Sequence, residues 1–459
     1  MGNSHFTTRS AILAFVAAAA VASVCHAAAP AFFGANPVGW GKDVTGGTGA
    51  PTSSIFVVST LSDLQAAAKK AVSPKIIFVK GTIDATLDAS GKSKTAATYA
   101  AGYDIQTYAS SCFSSDGLKA VSSSACTAQT TLATSGGSAQ SADIKVTLTD
   151  NTSLIGLGSD AKLLGVWISI NGVKNVIIQN LFIEAARDLF TAWDPTDSST
   201  GNWNAQYDAI TIKTSTGVWV DHCTLTDGRF LDSSAPIIFN KRVQFHDGLV
   251  DITNAADLVT VSNNIIMDHD KTSLIGSSDS KTGDRGLLRT TYYGNLFRRT
   301  QERTPRVRFG QVHVFNNYYF GEIGSSTNYP LLAFFGVGVE SQIVSESNAF
   351  EIDGASKSDW VSHTMLLPGG TQFSDTGSEF SSTGTSVDSS LTLNGIAQSA
   401  WVATNHTGSI STAASWTPSS KYSYTIGSKG FSAIKSSVMG NAGVGKVTVT
   451  YTGATGSLP

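Results

Sequence analysis

The chain has 459 residues, of which 41% are hydrophobic and 14% are charged, with a net charge of −3. This length and apolar content are sufficient for a sizeable buried core. The near balance of charge argues against a general nucleic-acid-binding protein, which would carry a basic surplus. The 44 glycines and the many serines and threonines favour strands and turns over helices, so we expect an all-β protein.

The N-terminus has the pattern of a secretory signal peptide. Arg9 precedes an apolar run from Ala11 to Val24, and small residues follow at positions 27–29. The run is too short to span a bilayer comfortably and ends in small residues typical of a cleavage site. We therefore expect residues 1–28 to be removed and residues 29–459 to be secreted, without a membrane anchor.

Three cysteines remain after removal of this segment. Cys112 and Cys126 lie in a stretch rich in Ser, Ala and Thr, and in an oxidising compartment they are expected to form a disulfide. Such a bond would stabilise the fold by about 3 kcal/mol. Cys223 lies within a strand-like pattern and is expected to be buried and free. The cysteine and histidine spacing does not indicate a zinc site.

The first predicted elements of the mature chain are a strand, a helix and two further strands. They cover Ile55 to Val58, Leu61 to Ala71, Lys75 to Val79 and Gly81 to Ile83. The helix is expected to cap one end of the core. Residues from about 86 to 142 are rich in Ser, Ala, Thr and Gly and have weak periodicity, which predicts an irregular surface insertion.

Six segments of the central region superpose without gaps. They are IIQNLF (177–182), VDHCTL (220–225), VSNNII (261–266), YYGNLF (292–297), VFNNYY (314–319) and SESNAF (345–350). Their fourth positions are Asn180, Cys223, Asn264, Asn295, Asn317 and Asn348. The closest pair is 22 residues apart, which is the length of one coil of a solenoid. Irregular spacing between segments favours a parallel β-helix with long loops over a propeller.

The aligned asparagines are expected to point inward and to bond to one another along the stack. After about residue 354 the sequence again becomes rich in Ser, Thr and Gly, and only Val444 to Tyr451 is strongly strand-like. We expect loops and a tail packed on the coils, so that residues 29–459 form a single domain.

Charged and polar motifs cluster between the second and fifth repeats. They are Asp208 in YDAITI, VWVDH (218–222), DGLVDI (247–252), HDKTSLIG (269–276), and Arg303, Arg306 and Arg308 in a predicted loop before a strand. On a continuous strand Asp247 and Asp251 would share one face, which should point outward because burying two carboxylates is costly. Carboxylates gathered in this way need a cation, and their hard oxygen ligands suit Ca²⁺.

The motifs VWVDH, DGLVDI, HDKTSLIG and RTPRVRFGQVHVFNN, in this order, resemble those of secreted pectate lyases in the pectate/pectin lyase superfamily. The resemblance covers roughly Asp143 to Asn317 and the opening strands. It implies a right-handed parallel β-helix and a monomeric, calcium-dependent enzyme that cleaves α-1,4-linked polygalacturonate. Cleavage by β-elimination would give 4,5-unsaturated oligogalacturonates.

The resemblance also implies roles for six residues. Asp208, Asp247 and Asp251 would bind calcium, Arg303 would be the catalytic base, and Lys271 and Arg308 would bind substrate carboxylates. Removal of the C5 proton requires neutralisation of the developing negative charge, which Ca²⁺, Lys271 and Arg308 would supply. Free arginine has a pKa above about 12. A crowded cationic site would have to lower the pKa of Arg303, so we expect alkaline pH to favour activity.

Two positions depart from the pattern of some relatives. Gln206 replaces a further calcium-site aspartate, and Thr253 replaces a substrate-binding lysine. A structural role is expected for Trp219, Asp221, His222, His269 and His313. Two other functions remain open: a metal-independent pectin lyase acting on methyl-esterified chains, and a non-catalytic β-helix that binds polysaccharide or acts as an adhesin.

Overall fold

The computed structural model describes residues 1–2, 29–324, 327–381, 391–414 and 416–458. Residues 3–28 of the predicted signal peptide therefore lie outside the described residues. In the described part of the chain, no helix is long and apolar enough to cross a membrane.

Three long parallel sheets form the body of the protein. The first sheet has ten strands, Ile55–Val58, Lys75–Val79, Thr152–Gly156, Lys174–Gln179, Thr216–Asp221, Asp257–Ser262, Thr290–Tyr293, Gln311–Phe315, Gln342–Glu346 and Phe373–Thr376. The second has eight, Lys145–Thr147, Trp167–Asn171, Ile210–Lys213, Val250–Thr253, Leu274–Ile275, Arg306–Val307, Phe335–Val337 and Met365–Leu366. The third has nine, Thr82–Asp84, Lys162–Leu164, Phe182–Glu184, Thr224–Thr226, Ile265–Lys271, Leu296–Glu302, Tyr318–Glu322, Ala349–Asp353 and Glu379–Ser381.

Successive coils place similar side chains in register, which is why the stack holds together. Val176, Val218 and Val259 occupy matching positions on neighbouring strands of the first sheet and are fully buried. Burying each such side chain contributes about 1.5–3 kcal/mol. The stack confirms the predicted right-handed parallel β-helix. Two short antiparallel hairpins lie outside it, Ala192–Asp194 with Asn202–Asn204 and Ile237–Ile238 with Lys241–Arg242.

Four of the aligned asparagines form a ladder at the turn between the first and third sheets. The side-chain oxygen of Asn295 accepts from the main-chain and side-chain nitrogens of Asn264, at 2.9 and 3.0 Å. Asn295 donates to Asn317 at 3.0 Å, and Asn317 donates to Asn348 at the same distance. All four are buried, so the expected stack of inward asparagines is confirmed.

Cys223 interrupts the ladder. Its main-chain nitrogen donates to the side-chain oxygen of Asn264, and its thiol is buried and free, as expected. Asn180, on the preceding coil, instead donates to the carbonyl groups of Gly156 and Gly158. Its side-chain oxygen accepts from the main-chain nitrogen of Gly445, so Asn180 contacts the C-terminal tail.

The structure contains seven α-helices in its described residues. They are Leu61–Lys69, Ala96–Tyr99, Ile105–Cys112, Ser124–Ile144, Lys357–Thr364, Leu393–Ala403 and Phe431–Asn441. The first caps the core, as expected. The prediction of an irregular insertion at 86–142 was wrong, because three helices lie there and the Cys112–Cys126 disulfide joins two of them.

Tertiary packing explains the helical insertion. Its residues have modest helix propensity, but Ser123 caps the long helix by accepting from the nitrogen of Cys126. Gly136 lies so close to Phe190 that a Cβ atom would come within 2.3 Å of the ring. The helix thus depends on a contact with another part of the chain, which periodicity cannot reveal.

The predicted strand at Val444 to Tyr451 was also wrong, since no strand is present there. The last helix, Phe431–Asn441, instead packs Ile434 and Val438 against Leu296 and Tyr318 of the third sheet. The C-terminal part therefore packs on the coils, as expected, but it does so through helices and a tail.

Candidate functional site

The outer face of the second sheet carries a row of in-register residues that crosses successive coils. In spatial order the row contains Thr211, Asp251, Leu274, Arg306, Gly336 and Leu366. The residues on either side of Asp251, Val250 and Ile252, are buried in the core. Because strand side chains alternate between faces, Asp251 points away from the core, as expected.

Asp208 and Asp251 form a close pair of buried carboxylates on this face. Asp208 accepts from the main-chain nitrogen of Gly248 at 3.0 Å, and Asp251 accepts from that of Leu274 at 3.0 Å. Burial, together with the charge of Asp247, raises the pKa of Asp208 to about 6. Burial and the charges of Asp208 and Asp247 raise the pKa of Asp251 well above its usual value.

Both carboxylates lie against the main chain of Gly248. A Cβ atom at this position would lie 2.4 Å from an oxygen of Asp251 and 3.0 Å from an oxygen of Asp208. The main chain is therefore bare where the two acidic groups meet. Carboxylate oxygens that lie close together and repel one another fit a hard divalent cation.

Asp247 lies beside this pair but is not on the same strand. The strand begins at Val250, so the expected continuous strand through Asp247 and Asp251 was wrong. The side chain of Asp247 is 34% exposed and pairs with the ammonium of Lys271 at 2.7 Å. The structure thus brings together Lys271 and all three predicted acidic ligands.

His269 forms a hydrogen bond with the main chain of Asp247. Its Nδ1 donates to the carboxylate of Asp227 at 2.5 Å, and its Nε2 donates to the carbonyl group of Asp247 at 2.8 Å. Burial opposes a charge on His269, but Asp227 outweighs it and raises the pKa of the imidazole to about 9. Tyr329 also donates to Asp227. The sequence prediction did not include Asp227 and Tyr329, which lie outside the motifs.

The three arginines differ in their surroundings. Arg303 has a φ of 63° between two strands and donates to Glu302 at 3.0 Å. Its charge acts on Asp251 and opposes the increase in the pKa of that carboxyl. Arg308 pairs with Asp279 and donates to the carbonyl group of Gly276.

Arg306 was expected in a loop but lies in the strand Arg306–Val307. Its Nε is buried and has no hydrogen-bond partner among the described residues. Burial and the charges of Arg308 and Arg303 lower the pKa of Arg306. The arginines therefore form a crowded cationic group next to the carboxylates.

A second acidic group, Asp227, Asp232 and His246, has its potential ligand atoms within 4.8 Å of one another. Nδ1 of His246 faces the carbonyl group of Ala186 and Nε2 faces that of Phe230. Both ring nitrogens are therefore already in contact with main-chain oxygens of the protein. This group is better explained as an internal hydrogen-bond network than as a metal site.

The remaining residues of the sequence prediction lie around the site or away from it. The main-chain nitrogen of Gln206 donates to Asp188, a buried carboxyl whose pKa burial raises to about 6. Thr253 ends the strand that carries Asp251, beside Lys213 of the preceding coil.

Trp219 and Asp221 bond to Ser262, and His222 bonds to Asp221, in the first sheet and the turn after it. His313 bonds to Tyr422 and Glu346. These internal contacts agree with the structural roles expected for the four residues.

Comparison with known proteins agrees with this geometry. Residues 100–447 match the family model described as pectate lyase. A pectate lyase of Bacillus subtilis (strain 168) is 38% identical over 415 residues, which cover 89% of this chain and 92% of the relative. Pectate lyase E of Dickeya chrysanthemi is 36% identical over 388 residues, covering 82% and 84%.

Solved structures give the same result. A pectate lyase bound to a hexasaccharide superposes with a TM-score of 0.79 at 36% identity, covering 91% of this chain and 99% of its own. Another, described for its substrate specificity and the anti β-elimination mechanism of pectate lyase, has a TM-score of 0.78 at 36% identity, covering 92% and 100%. The chain therefore belongs to the pectate lyase family and is a polysaccharide lyase.

Proposed function

We propose that this enzyme is a calcium-dependent lyase that cleaves polygalacturonate by β-elimination. The observation that carries the proposal is the buried Asp208–Asp251 pair, which meets at Gly248 and lies near Arg303. Asp208, Asp247 and Asp251 would hold Ca²⁺, which would neutralise a uronate carboxylate and make the adjacent C5 proton more acidic.

In this proposal Arg303 removes the C5 proton of the galacturonate. The electrons of the C5–H bond form the C4=C5 double bond, the C4–O4 bond breaks, and the leaving oxygen takes up a proton. Glu302 holds Arg303 by a 3.0 Å hydrogen bond and thereby orients its guanidinium. Lys271 and Arg308 bind substrate carboxylates and thus oppose the negative charge that develops during proton removal.

Lys271 and Arg308 each pair with a carboxylate of the protein, and a substrate carboxylate must replace that partner. Lys271 pairs with Asp247, and Arg308 pairs with Asp279, whose side chain is 57% exposed. A cation that binds Asp247 would weaken its pairing with Lys271, so that the ammonium becomes available to a uronate. Metal and substrate binding are therefore expected to support each other.

Absorbance of the unsaturated uronide product tests the function. Polygalacturonate should give product, a chelator should lower the rate by more than about tenfold, and added Ca²⁺ should restore it. Activity that survives chelation and prefers methyl-esterified chains would indicate a pectin lyase. Absence of product from either polymer would indicate a binding protein.

Charge-preserving variants test the two arginine roles. Arg303→Lys should lower turnover on the order of 100-fold or more, because the ammonium cannot reproduce the reach and geometry of the base. Arg308→Lys should chiefly raise KM, by about tenfold, because one of two parallel contacts to a carboxylate is lost. Near-normal turnover of Arg303→Lys at saturating substrate would remove Arg303 from the role of base.

Secretion and a monomeric state complete the proposal. The N-terminal sequence pattern supports secretion, and the Cys112–Cys126 disulfide suits an oxidising compartment. Mass spectrometry of the exported protein should find an N-terminus near Ala28, and light scattering should give the mass of one chain.

A further inference from the structure

One peptide bond connects a buried histidine to two of the proposed calcium ligands. It joins Asp247 to Gly248 and lies before the strand that begins at Val250. Its carbonyl oxygen is 2.8 Å from Nε2 of His269, and its amide nitrogen donates to the carboxylate of Asp208 at 3.0 Å. A carbonyl oxygen can only accept, so Nε2 of His269 is the donor.

The planarity of this peptide couples its two hydrogen bonds. The peptide is trans, and in a trans peptide the C=O and N–H groups point in opposite directions within one plane. A rotation of the plane that broke the bond from His269 would also turn the amide of Gly248 away from Asp208. His269 therefore helps to set the position of that carboxylate, although the two side chains lie on opposite sides of the peptide.

His269 is itself held by groups outside the proposed metal site. Its Nδ1 donates to Asp227 at 2.5 Å, and the hydroxyl group of Tyr329 donates to the same carboxylate. The oxygen of that hydroxyl group accepts from the main-chain nitrogen of Asp232 at 2.9 Å. His269 and Asp227 are fully buried, and a buried pair of this kind adds little net stability because its desolvation is costly. Its direct consequence is the fixed orientation of the imidazole.

Asp247 is held at two points by one strand, Ile265–Lys271. His269 binds its carbonyl group, and the ammonium of Lys271 pairs with its carboxylate at 2.7 Å. A cation bound to the carboxylate would compete with Lys271, but it would not compete with His269. The bond to the main chain can therefore persist while the side chain of Asp247 changes its partner.

We infer that His269 is a positioning residue of the calcium site, and that Asp227 and Tyr329 fix the orientation it needs. It acts on two ligands at once through the peptide between Asp247 and Gly248, and it contacts neither the metal nor the substrate. The inference rests on the proposed function, because it concerns the same calcium ligands. Removal of a partner of this kind lowers metal affinity by about 10- to 100-fold.

Two substitutions of His269 separate positioning from folding. The amide nitrogen of glutamine can take the place of Nε2 and keep the bond to Asp247. The amide nitrogen of asparagine can take the place of Nδ1 and keep only the bond to Asp227. In a calorimetric titration with CaCl₂ and no substrate, His269→Asn should raise the Kd about tenfold, and His269→Gln less than about threefold.

His313→Asn is the matched control for this pair. His313 is also buried and bonds to a carboxylate, that of Glu346, but it lies on the first sheet, whereas Asp251 lies on the second. The control should bind Ca²⁺ with the Kd of wild type even where its melting temperature falls. Turnover adds a second readout, because excess Ca²⁺ should restore most of the kcat of His269→Asn.

Tyr329→Phe tests the support of Asp227 while leaving His269 in place. Loss of the hydroxyl group should raise the Kd for Ca²⁺ by about threefold, as expected for one hydrogen bond acting at a distance. Tyr319→Phe is its control, since the buried hydroxyl group of Tyr319 has no partner among the described residues. It should leave the Kd as in wild type.

The inference is overturned if a folded His269→Asn binds Ca²⁺ as wild type does, or if His269→Asn and His269→Gln raise the Kd equally. If His269→Asn does not fold, a wild-type Kd in Tyr329→Phe overturns it. Failure of the proposed function gives a different result, in which wild type itself binds no Ca²⁺ and forms no unsaturated product.

Discussion

The asparagine ladder and the outer row of the second sheet are built on the same coils but treat their polar groups in opposite ways. In the ladder, each side-chain oxygen accepts from the preceding coil, as Asn295 does from Asn264. Beside the row, the charge of Asp208 repels that of Asp251, which is on the row, and both carboxyls have a raised pKa. The ladder satisfies its polar groups within the chain, whereas the row leaves charge for a ligand to neutralise.

The ladder therefore stabilises the solenoid, whereas the acidic pair destabilises it in the absence of a cation. Neutral amides that bond to one another escape the cost of desolvation. Like charges held together on a rigid sheet do not, and their repulsion remains until a cation binds. A substitution in the ladder and one in the row should therefore change stability in opposite directions.

Asn295→Leu should give the largest loss of stability. The change removes two hydrogen bonds that its oxygen accepts from Asn264 and two that its amide donates, to Asn317 and to the carbonyl group of Val261. Since each buried unsatisfied group costs about 1–3 kcal/mol, we expect a loss of about 3–5 kcal/mol in chemical denaturation. Turnover at a temperature where the variant is folded should be unchanged.

Asn441→Leu is the control for this change, because Asn441 is exposed and its side chain donates to Ser437 within its own helix. A loss below about 1 kcal/mol for Asn295→Leu would show that apolar burial alone holds the coils together.

Asp251→Asn should have a smaller effect of opposite sign in the presence of a chelator. The amide can keep the bond from Leu274 while it removes repulsion with Asp208 and Asp247, so we expect a gain of about 1–2 kcal/mol. Wild type should gain about 2.7 kcal/mol at a Ca²⁺ concentration 100 times its Kd. The variant should gain little.

The exposed Asp160→Asn is the control, measured by the same calcium titration of the melting temperature. Equal calcium stabilisation of wild type and Asp251→Asn would contradict a metal site at this pair.

The repeated turn was predictable from sequence because its chemistry is local and periodic. Each coil places an equivalent residue at the same position, so Asn264, Asn295 and Asn317 align in the sequence as well as in the structure. Asp208 and Asp251 were indicated by the family resemblance of the charged motifs, and the structure shows that consecutive coils stack and place the strands beside them in register.

Other features required contacts between distant segments. The helix Ser124–Ile144 has few strong helix formers, and its packing of Gly136 against Phe190 joins residues far apart in sequence. Tyr329 reaches Asp227 from a loop on another coil. The prediction of one strand through Asp247 and Asp251 was wrong because the strand begins at Val250. An even spacing places two residues on one face only when the strand is continuous.

His313 offers the smallest test of the contrast, because it is a titratable group on the structural side of the molecule. Its Nε2 donates to Glu346, and its Nδ1 accepts from the hydroxyl group of Tyr422, which fits a neutral ring. Burial lowers its pKa, although Glu346 partly opposes this effect. The folded state therefore binds this proton less readily than the unfolded chain.

Stability from this group should be present above the unfolded pKa of about 6.5 and should be lost as pH falls below it towards the folded pKa. His313→Gln should remove that part of the dependence. From pH 7 to pH 5.5 the melting temperature of wild type should fall more than that of the variant, by a difference on the order of 1–2 °C. The pKa of Glu346 is itself lowered, and its own loss of stability begins only at more acidic pH. If the melting temperature of the variant falls as much as that of wild type over this interval, His313 is not the group that causes the loss of stability. The contact with Tyr422 would then hold the C-terminal segment whatever the protonation state of His313.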